Sequence, residues 1–111
     1  MVTATEKRSG TLGILVSSDK HLTYVVNLTR AAHDKGKQVH IFFTGSGVTL
    51  TLCPEFKQLV GRATLSICDV SFRSFGLHGR EAELPGIAFK DFTTQTKNAE
   101  LVQTMERYIV F

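Results

Sequence analysis

Apolar positions along the chain come in two rhythms, continuous short runs and helical stripes, separated by polar segments rich in glycine. TLGILVSS, Thr11 to Ser18, is apolar until its small polar end, the pattern of a strand buried on both faces of a parallel sheet. Leu22, Val25, Val26, Thr29 and Ala32 then fall on one helical stripe, with Ser18 or Asp19 placed to cap the helix. Lys35-Gly36-Lys37 closes it, a glycine with cations where the helix dipole favours them. VHIFFTG, Val39 to Gly45, is a second buried run, so the first half of the chain reads as a βαβ unit.

Gly45-Ser46-Gly47 interrupts the pattern. Cys53-Pro54-Glu55 then reads as a helix entrance, with Phe56, Leu59 and Val60 as its apolar face and Gly61 as its end. ATLSICDV, Ala63 to Val70, is a third strand, and SFRSFGL a short helix stopping at Gly76. Glu81 to Leu84 forms a turn, and GIAFKDF, Gly86 to Phe92, a fourth strand. The final segment is helical by period, with Leu101, Met105, Tyr108 and Ile109 on one face. This alternation predicts a three-layer α/β/α domain with a mainly parallel sheet, flavodoxin-like in class. Residues 1–10 read as a polar N-terminal arm and residues 11–111 as a single domain.

Composition narrows the function classes. A chain of 111 residues is long enough for one core without disulfides or metals. Its net charge of +3 is mild and spread along the chain, so no nucleic-acid partner is expected. No apolar run approaches the ~20 residues of a membrane span, and MVTATEKRSG has no apolar signal-peptide core. The expectation is a cytoplasmic protein without a membrane partner. The two cysteines, Cys53 and Cys68, match neither a zinc pattern nor CxxC, and are expected as free thiols. His21, His33, His40 and His78 show no HxxxH or HExxH pairing, so no metal site is expected; His40, inside a strand, reads as a packed histidine. GSG at 45–47 reads as a turn rather than a phosphate loop, for there is no GxGxxG and no GxxxxGK[ST].

Ligands of open parallel sheets bind beyond the C-terminal ends of the strands. Four segments qualify: Ser17 to Lys20, Gly45 to Cys53, Cys68 to Arg73, and Thr93 to Thr96. Cys68 lies between a strand and a helical turn, where backbone N–H groups, Arg73 or His78 would favour a thiolate. Asp69 opposes that ionisation, and an inert buried cysteine is an equal alternative. Cys53, a second thiol at a helix entrance, reads first as a loop cysteine. Asp19, Asp69 and Lys90 loosely suggest a phosphoacceptor domain, but helix-capping aspartates explain the first two more simply.

FFTGSGVTL, GRATLSIC, SFGL, EAEL and PGIAF together resemble the DsrE-like family of small sulfur-relay proteins, from about Thr11 to Phe111. The resemblance implies a parallel α/β fold and assembly into homomeric trimers or hexamers, or with related subunits. It also implies a cysteine carrying sulfur as a persulfide between donor and acceptor proteins, with no metal or organic cofactor. Cys68 takes the family cysteine's position; Arg73 and His78 are its supporting candidates, Asp69 is a departure that disfavours the thiolate unless it pairs with Arg73, and Phe72, Phe75 and Leu77 would shield the site or contact a subunit. Some relatives lack the cysteine and serve as structural subunits, so a non-catalytic oligomeric or partner-binding module stands as the alternative.

Overall fold

The computed structural model describes residues 7–111. Five parallel strands form one sheet: β1 (Arg8–Val16), β2 (Gln38–Phe43), β3 (Ala63–Cys68), β4 (Phe92–Thr93) and β5 (Met105–Val110), in the spatial order β4-β3-β2-β1-β5. The helices are α1 (Leu22–Asp34), α2 (Asp69–Ser74) and α3 (Thr96–Thr104). Two longer 3₁₀ helices, Gly45–Leu52 and Pro54–Leu59, join β2 to β3. The expected three-layer α/β class with a parallel sheet is therefore the observed one.

Strand side chains alternate between faces, and here the two faces differ in kind. Leu12, Ile14 and Val16 of β1, Val39, Ile41 and Phe43 of β2, and Leu65 and Ile67 of β3 point to one side, into the main core. Val25 and Val26 of α1, Phe56 and Leu59 of the second 3₁₀ helix, and Phe72 of α2 cover them. Phe43 meets Phe56, and Phe72 meets Phe92, edge to face with centroids 5.5 and 5.1 Å apart, the favoured aromatic geometry. The other face carries a second, smaller cluster of Phe42, Cys68, Leu101 and Met105, covered by α3 alone.

Several expected boundaries move. β1 begins at Arg8 rather than Thr11, so the polar arm gives its last residues to the sheet; the rest of the arm lies outside the described residues. Neither Ser18 nor Asp19 caps α1: its N-cap is His21, which makes no side-chain cap bond. The third strand stops at Cys68 and the next helix starts at once, with Gly76 closing it at φ +75°. Cys53 and Pro54 do open a helical segment, though a 3₁₀ one, with Pro54 at its start and Glu55 in its first turn.

Two assignments change outright. The fourth strand is only Phe92–Thr93, not Gly86–Phe92. Gly86 takes φ +69°, and Asp91 accepts the Ala88 N–H at 2.7 Å, so the chain turns where an extended run was expected; Lys90 sits in that turn. The C-terminal helix stops at Thr104, whose hydroxyl bonds back to the Glu100 carbonyl, and Met105–Val110 runs as a strand against β1. Its helical period was incidental: β1 offers an open ladder, and the β-favouring Tyr108-Ile109-Val110 fills it.

Gly47 holds the loop after β2 against β1. A Cβ there would lie 2.3 Å from the Val16 carbonyl oxygen, a backbone atom that has no room to retreat. Gly47→Ala is expected to destabilise the fold by about 1–3 kcal/mol, measured as a lower urea midpoint at unchanged slope.

Candidate functional site

At most neighbouring strands of this sheet the chain leaves toward the same side. β3 and β4 differ: α2 after β3 packs its Phe72 into the main core, whereas α3 after β4 packs its Leu101 into the second cluster. In open parallel sheets, ligands sit at the C-terminal edge between strands whose exits diverge, and Cys68 stands at that edge. Cys68 and Thr93 are register partners where the β3–β4 ladder ends.

Cys68 ends β3 and is the N-cap residue of α2. Two of the four strand-end segments, and the last polar residue before a third, supply its surroundings. Ser71 comes from α2, Thr44 from the end of β2, and Gln95 from the turn before α3. The Gln95 amide donates to the Thr44 hydroxyl at 2.7 Å and reaches the Cys68 sulfur at 3.7 Å. The Ser71 hydroxyl lies 3.3 Å from the Thr44 hydroxyl and accepts the Gly45 N–H at 2.9 Å. These contacts lock the three polar side chains to one another as well as to the thiol. Phe42, Leu101 and Met105 form the apolar floor.

Two influences act on this thiol in opposite senses. Burial pushes its pKa up, for only 3% of Cys68 is exposed and a charge there loses water. The Ser71 hydroxyl and N–H, the Thr44 hydroxyl and the Gln95 amide pull it down, and together they prevail, so the thiol ionises below its ordinary value. The sulfur closes no strict cap hydrogen bond with α2, so the stabilisation comes from the surrounding donors as a group rather than from one short contact. None of these donors is charged.

The charged residues expected to help are elsewhere. Asp69 and Arg73 pair with each other at 3.1 Å across one turn of α2, both exposed. His78 faces Glu81 at 3.7 Å and is also exposed. Arg73 thus engages the carboxylate that would oppose ionisation, while neither it nor His78 is among the groups acting on the thiol. Phe72 and Leu77 belong to the main core, not to the site, and Phe75 lies on the surface. Cys53 packs against the main core, across the sheet from the Cys68 cluster, and both thiols are free. The Gly45 and Gly47 N–H groups bond to Ser71 and Thr44 respectively, which removes two donors a phosphate would need from the GSG turn.

Sequence reading missed Thr44 and Gln95, the two residues that complete the collar. Thr44 stands one position before the segment it singled out, and Gln95 lies inside another without any motif to mark it. Their only signal was a polar residue just past an apolar strand.

Among the described residues, no group of three metal-ligating side chains converges, and no helix is long and apolar enough to cross a membrane. Compared with protein-family models and with curated proteins, the sequence matched none.

An acid that ionises more readily folded than unfolded adds stability that is present above its unfolded pKa and lost as pH falls through the folded one. For Cys68 the upper limit is the ordinary thiol value of about 8.5. The stability margin of the native chain over Cys68→Ala is therefore expected to widen as pH rises toward that value. In Ser71→Ala, the pH profile of Cys68 alkylation by iodoacetamide is expected to move to higher pH, because a donor to the thiolate is gone.

Proposed function

We propose that the protein is a sulfur carrier in which Cys68 bears a persulfide and passes it between partner proteins. The observation that carries this reading is the collar of Ser71, Thr44 and Gln95, which favours the thiolate of a cysteine at the C-terminal edge of the sheet. The thiolate attacks the outer sulfur of a donor persulfide; a new S–S bond forms on Cys68, and the donor leaves as a thiolate. An acceptor thiolate then attacks the outer sulfur on Cys68 and expels the Cys68 thiolate. The sulfur keeps its oxidation state throughout, so the transfer consumes no oxidant or reductant. A depressed thiol pKa serves both halves, raising the thiolate fraction in the first and easing its departure in the second.

Resemblance to the DsrE-like family supports the same reading and adds a homo-oligomer, trimeric or hexameric, or a hetero-oligomer with related subunits; the cytoplasm is its proposed compartment. No metal or organic cofactor enters the chemistry. The covering of Cys68 favours a second reading, a non-catalytic subunit whose cysteine packs beside Phe42, Leu101 and Met105.

Incubation with a cysteine desulfurase and cysteine, or with polysulfide, separates the two. The carrier gains about 32 Da on Cys68, keeps that gain in Cys53→Ser and loses it in Cys68→Ser. A Cys68 that stays unmodified while the protein remains folded, with Cys68→Ala assembling normally, establishes the subunit reading instead.

A further inference from the structure

The opposite end of the sheet holds a groove of about 570 Å³, between the starts of β1, β2 and β3 and the end of α1. Its rim carries Arg8, Lys37, Arg62, His33 and His40, and no Asp or Glu is among the described residues that line it. Among the described residues, Arg8, Lys37 and Arg62 are in no ion pair. Arg8 donates to the Gln38 amide oxygen at 3.2 Å and Arg62 to the Gln58 carbonyl at 2.9 Å. Each bond holds one guanidinium nitrogen and leaves further N–H groups of the fork to bind something else.

The negative end of the α1 dipole also points here, but its last carbonyls already accept from Lys35, Gly36 and Lys37 N–H groups. His40 senses the resulting field. Burial lowers its pKa first, the charges of Arg8 and Lys97 lower it further, and only Glu100 opposes them.

We propose that this groove binds an oligophosphate, a ligand with two or more linked phosphate groups. Three permanent cations spaced around a single concavity exceed what one phosphate needs, and the volume lies within the range of small-ligand sites. The lining has only Val39 and Ala63 as apolar side chains and no Phe, Tyr or Trp, so it recognises charge first. The ligand is held by its phosphate chain, whether that chain is free or carries a nucleoside outside the groove. The proposal is independent of the chemistry at Cys68, which lies at the other edge of the sheet.

Calorimetric titration of the full chain with inorganic tripolyphosphate tests it, with ATP and a single-stranded RNA 20-mer as parallel arms. Tripolyphosphate is expected to bind, and Arg8→Gln and Arg62→Gln each to weaken it about tenfold. Lys20→Gln, an exposed cation beyond the opposite end of β1, is expected to change nothing. In the NMR titration of His40, saturating tripolyphosphate is expected to raise the imidazole pKa by offsetting Arg8 and Lys97. Arg62 lies outside the strands, just before β3, so its variant answers even if Arg8→Gln weakens β1. ATP binding as tightly as tripolyphosphate supports recognition through the phosphate chain. Absence of tripolyphosphate binding overturns the proposal; so does an equal loss in Lys20→Gln, which marks diffuse charge. RNA bound in preference to tripolyphosphate overturns it too, in favour of a nucleic-acid surface.

Discussion

The whole architecture follows from β1 having to be paired on both sides. A buried strand leaves no backbone N–H or carbonyl to water, so each of its ladders must be filled by another strand. β2 fills one. The other falls to the C-terminal segment, and Phe111 N–H on the Leu15 carbonyl, with Ser17 N–H on the Phe111 carbonyl, closes the seam. To reach that position from β4, at the far edge of the sheet, the chain has to cross a face, and α3 is the crossing. Gln95 stands at its entrance and is carried over Cys68 as a result. The demand of one strand thus shapes the cysteine's surroundings two strands away.

Alternation along β3 completes the arrangement. Leu65 and Ile67 go to the main core while Ser66 and Cys68 go to the other side, so the cysteine meets the thin layer under α3 and not the thick one under α1. A shift of one residue in register would have buried it among leucines and phenylalanines. Gly47 and Gly13 are the spatial conditions for this packing: one admits the Val16 carbonyl, the other leaves room for Met105 over β1.

The parallel class and the first three strands were legible in the sequence because continuous apolar runs and a clear helical stripe leave few alternatives. Cys68 was legible as a strand-end thiol for the same reason. The two misread segments failed for different physical causes. Around Gly86, local turn chemistry from a left-handed glycine and the Asp91 carboxylate outweighed an apolar alternation. From Met105 onward, a long-range pairing with β1 outweighed a helical period, and no local signal carries such information. The expected helpers Arg73 and His78 were chosen for charge and closeness in sequence; the groups that reach the thiol are neutral and come from residues 44, 71 and 95.

A thiolate held by charges weakens as salt rises, because mobile ions screen its partners beyond about 8–10 Å and compete with them nearer. Cys68 is held by hydroxyls, an amide and a backbone N–H, dipoles that act over contact distance and attract no counterions. Its ionisation should stay nearly constant from dilute buffer to the ionic strength of a cell or a brine. Salt would then bear on the exposed Asp69–Arg73 pair beside it and leave the ionisation of the sulfur untouched.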